Sequence, residues 1–574
     1  MMLRWAAFIV VAVCACAKQP STTDSKVLNY SIRSEPASFD PIHSAYIVNA
    51  ALQRQILECL FEYDYDSDGA ELSNLLVETY EVSDSGLIYD FHLNTDAEFF
   101  DPFTPPLFEG SQRRAVTAND VLFCWLRQAD ARNKGEGWWA MRDTIVGLDD
   151  FHQQTLALEP GVAQAAVDEA LVNGIAGLQV INSTHLQVNL VRPDPMFLNR
   201  LAMSYFAVYP HEAVSTDERS MDAQPVGSGA YFLDSFLSGQ SVSMAKTPQW
   251  RLNYVDAAEK INFEVIRDNQ TTIEMFKRGN TDRLTLSHLS ADQFLNEQLQ
   301  LKPEFVEKGV TMSDYPRSDT TMLVFNMDDP DIGHIAGDTH GNNNRRQLRK
   351  ALSYAFPRQQ WQQLLYGDLP HLLASSFVPP NIGSTHTQFP WHDDINEARK
   401  LLKNAGYYDG LELPQLEFVL FGTDSLSVAL GELYVAALGE LDINCSLLAV
   451  PYAQQIQKAV SGEAQMFIRN WSLDWPDSSL IYNTFNSNNI GTETNLSHFA
   501  NSEFDSLLLQ LRACSDQNQR QQLEQQLDDI LYAECPAAPI EHRQSLVLSS
   551  NKISNFKMRA FDLMPCKSYK LNND

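Results

Sequence analysis

The chain has 574 residues, of which 44% are hydrophobic, so it can bury more than one core and we expect at least two lobes. Its formal net charge of -31 would repel the phosphates of nucleic acid, so a nucleic-acid partner is not expected. The charge favours either a cationic ligand or simple solubility, and solubility is the more common reason for such a charge.

Residues 1–15 have the features of an export signal. One cation, Arg4, precedes the apolar run Trp5–Val13, which is too short to span a bilayer but long enough for the core of a signal peptide. The residues that end at Cys16 resemble a bacterial lipobox, and a polar tether follows over residues 16–26. We expect acyl chains on Cys16 to anchor a periplasmic protein to a bacterial membrane. The alternative is ordinary signal-peptide cleavage, which would release a free periplasmic protein.

The cysteines of the mature chain indicate neither a metal site nor a cofactor. They are scattered, without a Cys-x-x-Cys pattern or a Cys/His cluster. An oxidising compartment permits disulfides, but the sequence does not give their pairing, and several of these cysteines would serve as buried thiols. The six are Cys59, Cys124, Cys445, Cys514, Cys535 and Cys566.

Strand and helix patterns alternate along the chain. Apolar and polar residues alternate in Leu87–Leu93, Leu186–Leu190 and Ile261–Val265, which predicts half-buried strands. Thr117–Asp120 is a capping-box pattern, and Asp394–Glu397 precedes residues that share one helical face. The sequence therefore predicts a mixed α/β protein.

No hydrolase motif is visible. The chain lacks His-Glu-x-x-His, and Val226–Gly229 lacks the glycine that a nucleophile elbow needs two places before its serine. We therefore expect no catalytic residues, and an exported peptidase is the alternative from a different functional class.

The segment Asn470–Asp477 carries the strongest candidate for a binding residue. It follows the apolar run Met466–Ile468 and places Asp474 between tryptophans. A carboxylate desolvated by indole rings requires a cationic partner, which could be the ammonium group of a ligand. The alternative is a tight turn in which Asp474 and Asp477 cap local amides, and residue chemistry alone favours that turn.

A resemblance to a known family supports the ligand interpretation. Ser34–Pro41 resembles the mature N-terminus of the oligopeptide- and dipeptide-binding group, family 5 of the solute-binding proteins of bacterial ABC importers. Further segments resemble the family in the same order: Phe61–Asp64, Tyr89–Leu93, Thr117–Val121, Pro225–Tyr231, Phe276–Asp282, Arg345–Ala355, Glu397–Leu402, Trp471–Asp477 and Pro536–Ile540. Each segment alone is a weak signal, but their shared order is a strong one.

The resemblance implies an α/β fold of the class II periplasmic-binding-protein type, in which two lobes close on a ligand around a hinge. Lobe I would comprise residues 27–58, 180–316 and 541–574, with an additional subdomain inserted at 59–179. Lobe II would comprise residues 317–540. Residues 102–114 are an insertion relative to the family, so the rim of the subdomain would differ.

The resemblance also implies a binding site. In the family, an extended peptide pairs its backbone with strand-like segments of both lobes. The residues matched to that site are Glu35, Pro36, Ala37, Asn470, Trp471, Ser472 and Trp475. Asp474 matches the aspartate that binds the peptide's ammonium group, an attraction of ~4 kcal/mol at 4 Å before desolvation is subtracted. No basic residue matches the one that meets a ligand carboxylate, so ligand length stays open.

Together these observations predict a monomeric lipoprotein that captures oligopeptides or dipeptides and delivers them to the permease subunits of an ABC importer. The site would hold no metal and no cofactor. The same fold also binds nickel complexes, haem, opines or oligosaccharides in other members of the family, so a non-peptide solute is the first alternative.

Overall fold

The computed structural model describes residues 26–572, except 68–69, 158, 215–219, 253–255, 383–391, 559–560 and 562–563. The predicted signal peptide, the lipidation site Cys16 and most of the tether lie outside the described residues. Among the described residues, no helix is both long enough and apolar enough to cross a membrane.

The first part of the chain, up to residue 316, contains strands and helices in alternation. Its strands are β1 (Val27–Ile32), β2 (Phe61–Tyr63), β3 (Leu72–Asn74), β4 (Val77–Val82), β5 (Ile88–Leu93), β6 (Glu98–Phe100), β7 (Arg113–Ala115), β8 (Leu178–Asn182), β9 (His185–Asn189), β10 (Tyr231–Leu237), β11 (Ser241–Lys246), β12 (Lys260–Val265), β13 (Arg283–Thr285) and β14 (Thr311–Pro316). Its helices are α1 (Ile47–Ile56), α2 (Ala118–Ala129), α3 (Trp138–Met141), α4 (Leu148–Thr155), α5 (Pro160–Asn173), α6 (Phe197–Arg200), α7 (Asn269–Lys277), α8 (His288–Phe294) and α9 (Pro303–Val306).

The second part of the chain is also mixed. Its strands are β15 (Asp319–Phe325), β16 (Leu372–Leu373), β17 (Leu416–Phe421), β18 (Cys445–Val450), β19 (Met466–Ser472), β20 (Ala537–His542) and β21 (Gln544–Ser549). Its helices are α10 (Thr339–Tyr354), α11 (Arg358–Tyr366), α12 (Ile395–Asn404), α13 (Ser425–Gly439), α14 (Tyr452–Val460), α15 (Ser479–Tyr482), α16 (Ser502–Ala513) and α17 (Gln517–Glu534).

The local predictions are confirmed. The three alternating segments form β5, β9 and β12. Thr117 caps α2 in a capping box with Asp120, and the Asp394 carboxylate accepts hydrogen bonds from the first amides of α12. Ser228, in the segment that lacks a nucleophile elbow, is buried. Its neighbour Gly227 lies so close to the carbonyl of Ile56 that a Cβ atom on residue 227 would clash with it.

One large hydrophobic cluster joins residues 28–263 to the C-terminal residues 553–571, and we call this body the first lobe. Its sheets have the strand orders β1-β12-β11-β10 and β4-β5-β9-β8. The side chains of β1 alternate between buried and partly buried, as expected for a strand whose successive side chains point to opposite faces of the sheet.

A second cluster spans residues 322–540, and we call it the second lobe. Its six-stranded sheet has the order β16-β20-β15-β19-β17-β18. Strand β15 is buried along its whole length, as expected for a central strand covered on both faces.

Two connections join the lobes. Strand β14 pairs with β21 in a three-stranded sheet, which is joined to the first lobe by the hydrogen bond from the amide of Asp282 to the carbonyl of Asn29. Strands β15 and β20, which adjoin β14 and β21 in sequence, pair in the second lobe. Between them the amide of Arg317 donates to the carbonyl of Arg543 at 2.8 Å. The chain therefore crosses between the lobes on two neighbouring segments. The exact residues at which the domains begin and end stay a prediction.

The six cysteines of the described part are buried free thiols, and no disulfide joins them. Of the two alternatives that the sequence left open, disulfides or buried thiols, they therefore follow the second. Burial raises the pKa of the Cys59 thiol to about 11, which keeps it protonated and unreactive at neutral pH.

Candidate functional site

A cavity of about 590 Å³ lies between the two lobes, directly beside the crossing segments. The first lobe contributes Arg54 from the end of α1, together with Tyr63 and Tyr205. The second lobe contributes Ser472, Leu473 and Asp474, which follow one another at the end of β19. A cavity of this size is typical of a small-ligand site at a domain interface.

The end of β19 positions Asp474. Ser472 is the last residue of the strand and pairs with Asp319 of β15. One more backbone hydrogen bond follows, from the amide of Leu473 to the carbonyl of Ser318 at 2.8 Å. Because the buried Leu473 side chain anchors the chain at this point, the next side chain, Asp474, faces the cavity.

Asp474 is accessible from the cavity but surrounded by protein on its other sides. The loss of bulk water raises the pKa of its carboxyl group to about 6, and desolvation is the only cause. Within the described part of the chain, Asp474 forms neither a hydrogen bond nor an ion pair. Its charge instead adds to the burial that raises the pKa values of Tyr63 and Tyr205. Asp474 is therefore a carboxylate on the cavity wall that forms no ion pair with the described residues around it.

Asp477, three residues further on, has a different role. Its carboxylate accepts hydrogen bonds from the amide and hydroxyl of Ser479 and forms a buried ion pair with Arg520. The alternative prediction, in which both aspartates cap backbone amides of a tight turn, is thus correct for Asp477 but not for Asp474.

The segment Asn470–Ser472 lies on a partly open edge of the sheet. On one side β19 pairs with β15 along its whole length. On the other side it pairs with β17 only at Met466 and Phe467. Among the described residues, no strand continues that ladder beside Asn470–Ser472, which leaves a sheet edge of the kind that pairs with an extended chain. Of these three residues, Ser472 lines the cavity, whereas Asn470 and Trp471 do not.

The two tryptophans of the predicted site lie in different surroundings. Trp475 is buried, stacks on Trp139 of α3 with ring centroids 5.7 Å apart, and lies under the Arg200 guanidinium at 5.2 Å. Trp471 is partly buried and lies 5.5 Å from the guanidinium of Arg469. Trp475 therefore joins the lobes instead of lining the cavity.

The structure does not bring Glu35, Pro36 or Ala37 to the wall of this cavity. The Glu35 carboxylate accepts hydrogen bonds from Ser238 and Gly239, which lowers its pKa. The amide of Ala37 donates to the Asn49 side chain at 2.9 Å. This amide is thus already bonded inside the first lobe, and the predicted role of the segment stays a prediction.

Sequence reasoning missed the cations of the cavity wall, which are Arg54, Arg283 and Arg317. The Nε atom of Arg317 lies 2.9 Å from the buried Asp319 carboxylate, which also binds Arg543. These arginines come from distant segments and match no motif, so no local pattern could have indicated them.

One group of described side chains has the spacing of metal ligands: Asp120, His211 and Glu212. The guanidinium of Arg114 lies 2.7 Å from Asp120 and 2.8 Å from Glu212. Because this arginine already balances their charge, the group is better described as an ion-pair network than as a metal site.

Comparisons with known proteins agree with this geometry. A family model described as bacterial extracellular solute-binding proteins, family 5, middle region, matches residues 71–493. The heme-binding protein A of Haemophilus influenzae is 22% identical and covers 97% of this chain and 96% of its own length. A probable di/tripeptide-binding protein of Pseudomonas aeruginosa is also 22% identical and covers 97% of this chain and 98% of its own length.

Solved structures show the same architecture. The periplasmic binding protein DppA of Helicobacter pylori, in complex with the peptide STSA, has a TM-score of 0.72 at 18% identity, covering 95% of this chain and 98% of its own. HbpA2 of Haemophilus parasuis also has a TM-score of 0.72 at 18% identity, covering 95% and 100%. This likeness to periplasmic binding proteins confirms the predicted two-lobed α/β fold.

Proposed function

Because the chain belongs to the bacterial extracellular solute-binding proteins of family 5, we propose that it captures short peptides in its interlobe cavity and delivers them to an ABC importer. The family binds solutes, so membership favours a binding protein over the alternative of an exported peptidase. Peptide specificity is the finer part of the proposal and is argued from the site.

The observation that carries the proposal is the unpaired Asp474. Asp474 is exposed to the cavity but partly desolvated by the surrounding protein. A desolvated carboxylate that forms no ion pair is unfavourable, and an ammonium group in the cavity would reduce that penalty. The N-terminus of a peptide supplies such a group at neutral pH. The open edge beside Asn470–Ser472 then gives the peptide backbone a strand to pair with, independent of its side chains.

The names of the relatives refer to several different ligands. Besides heme and di/tripeptides, they include deoxycholate for a protein of Escherichia coli and glutathione for proteins of Salmonella. Deoxycholate and haem carry carboxylates and no ammonium group, so they would leave the charge of Asp474 uncompensated and would depend on the arginines of the cavity wall for binding. Glutathione is itself a peptide with an ammonium group and is compatible with Asp474.

The cellular setting follows from the same proposal. Cys16 would carry the lipid anchor, which holds a monomeric binding protein at the membrane surface close to the permease subunits. Mass spectrometry of the mature protein tests this part, since diacylation of Cys16 adds a defined mass to the N-terminal peptide.

Isothermal titration calorimetry with a mixed pool of tri- to pentapeptides tests the ligand. We expect binding heat from the wild type and a loss of affinity of about tenfold or more for Asp474→Asn, because the charge-assisted contact to the ammonium group is removed. Asp84→Asn, at an exposed position of the first lobe, is the matched control and should bind like the wild type.

Two outcomes contradict the proposal. Binding heat that is equal in the wild type and Asp474→Asn would remove Asp474 from the site. A wild type that binds none of the pool, while haem or deoxycholate binds, would assign the cavity to a non-peptide solute.

A further inference from the structure

One part of the interlobe cavity wall is aromatic and apolar. Tyr63, Met203, Tyr205 and Phe561 all line the cavity, and all four residues are only partly buried. The rings of Tyr63 and Phe561 stack on each other, with centroids 5.3 Å apart and planes inclined by 28°. We call these four residues the apolar patch. Apolar surface that stays accessible inside a cavity favours the burial of an apolar group of the ligand.

The apolar patch is built by both lobes. Tyr63 and Tyr205 pack against the core of the first lobe. Phe561 lies in the C-terminal tail but packs against the core of the second lobe, and Met203 packs against both cores. The patch therefore depends on the approach of the two lobes, and a ligand group buried in it contacts both of them.

The accessible surface of the patch is mainly carbon and sulfur. The hydroxyl oxygen of Tyr63 is buried although the residue is partly exposed, so the ring is the part of this residue that a ligand can reach. The carbonyl of Met203 accepts a hydrogen bond from the Cys59 thiol at 3.2 Å, so Met203 offers its thioether side chain. A polar ligand group would lose hydrogen bonds to water at this surface, whereas an apolar group would lose none.

The apolar patch lies close to Asp474. Burial raises the pKa values of Tyr63 and Tyr205, and the negative charge of Asp474 raises them further, so the carboxylate lies near both phenol groups. The first side chain of a peptide branches from the carbon atom next to the N-terminal nitrogen. An ammonium group held at Asp474 therefore brings the first side chain within reach of the patch.

We propose that the apolar patch holds the side chain of the ligand's first residue, so that the protein selects short peptides that begin with a large apolar residue such as leucine. The inference rests on the proposed function and narrows its ligand class. Met203 and Phe561 determine this specificity, because they connect the bound side chain to the second lobe. Burial of a leucine side chain corresponds to roughly a tenfold gain in affinity or more.

Paired tripeptides test the inference by calorimetry. Leucine and asparagine side chains have the same branched shape but differ in polarity, so we compare Leu-Ala-Ala with Asn-Ala-Ala. We expect the wild type to bind Leu-Ala-Ala about tenfold more tightly. Ala-Leu-Ala and Ala-Asn-Ala form the positional control and should differ by less than about threefold. Equal affinities within the first pair would overturn the inference, as would an equally large preference at the second position.

Two variants test the residues of the patch. Met203→Gln keeps the length of the side chain and adds a polar amide, and Phe561→Ala removes the stacked ring. Both should reduce the preference for Leu-Ala-Ala to about twofold or less, while Met203→Gln keeps the wild-type affinity for Ala-Ala-Ala. Met312→Gln is the matched control, because Met312 is an exposed residue of β14 outside the cavity wall.

Circular dichroism establishes whether each variant is folded. If Phe561→Ala fails to fold, Met203→Gln alone decides, since its substitution preserves the shape of the side chain. A folded Met203→Gln that keeps the full tenfold preference would overturn the role of the patch.

A further measurement separates this inference from the proposed function. If no peptide binds, the peptide proposal fails, and thermal unfolding with 2-phenylethylammonium and with ethylammonium then tests the patch alone. A larger rise in Tm with the aromatic amine, lost in Met203→Gln, supports an apolar subsite beside Asp474. Equal rises, or no rise with either amine, would overturn it.

Discussion

The indole rings of Trp475 and Trp139 stack across the interlobe boundary, with centroids 5.7 Å apart and planes inclined by 8°. Trp475 directly follows Asp474, and Trp139 interacts with Tyr205, which lines the same cavity. The guanidinium of Arg200 lies 5.2 Å from the Trp475 ring on the first-lobe side. This contact between the lobes is thus adjacent in sequence to the residue proposed to hold the ligand.

Loss of this stacking should weaken peptide binding mainly through faster dissociation. Trp139→Ala removes an aromatic pair worth about 0.5–1.5 kcal/mol, so we expect the dissociation rate constant to rise roughly fivefold. The association rate constant should stay within about twofold, since open lobes admit the peptide in either protein. Stopped-flow fluorescence with a dansylated tripeptide measures both constants.

Trp138 offers a matched control on the same helix. It stacks on His152 of the first lobe, with centroids 4.0 Å apart, and does not cross the boundary. Trp138→Ala should leave the dissociation rate constant unchanged, and Trp139→Phe should restore most of the wild-type value. Equal rate constants in Trp139→Ala and the wild type would show that the stacking does not hold the lobes together.

Peptide affinity should depend on pH through Asp474. The pKa of this carboxyl group is raised to about 6, so the group loses its charge as the pH falls below that value. We expect the dissociation constant to rise up to about tenfold per pH unit below pH 6, and again above about pH 8, where the peptide amine deprotonates. Calorimetry from pH 4.5 to 9 measures this profile.

Asp474→Asn is the control for this profile. The variant lacks the titrating group, so its weaker binding should show no acidic limb. An acidic limb that persists in Asp474→Asn would assign the pH dependence to another group.

The sequence was sufficient for the local elements, because alternation and capping boxes act over a few residues. The strand β12 and the Thr117 cap of α2 are examples. It also located Asp474 correctly at the end of a strand. It could not indicate that Trp475 stacks on Trp139 or that Arg283 lines the interlobe cavity, since such contacts depend on segments that only the tertiary fold brings together.

A buried acid in the second lobe gives a prediction for stability. Asp528 is fully buried on α17, and desolvation raises its pKa to about 8, while the Tyr482 hydroxyl donates to it at 2.9 Å. A folded-state pKa above the unfolded value makes the native state take up a proton between about pH 4 and pH 8, so its stability falls as the pH rises through that range.

Asp528→Asn should therefore be more stable than the wild type, with a gain that grows from about pH 4 to pH 8. Asparagine retains the shape of the protonated acid and has no proton to lose. Urea unfolding at several pH values, followed by circular dichroism, measures the gain. A variant that is less stable than the wild type at pH 8 would contradict the assignment of a neutral Asp528.

The crossing segments give the last prediction, which concerns two arginines that share one carboxylate. Asp319 is 1% exposed, and it binds both Arg543, whose Nε atom is 3.0 Å away, and Arg317, whose Nε atom is 2.9 Å away. The loss of water, and after it the positive charge of Arg543, lowers the pKa of Arg317, so the negative charge of Asp319 compensates this guanidinium only in part.

Substitutions of these residues should differ in cost. Asp319→Asn leaves two guanidinium groups facing each other without a counter-charge and should lower the free energy of unfolding by about 3 kcal/mol. Arg317→Gln should cost less than about 1 kcal/mol, because Asp319 retains Arg543 and one repulsion is removed. Urea titrations read by tryptophan fluorescence and circular dichroism compare the variants, and an Arg317→Gln cost as large as that of Asp319→Asn would mean that both guanidinium groups are needed at the crossing.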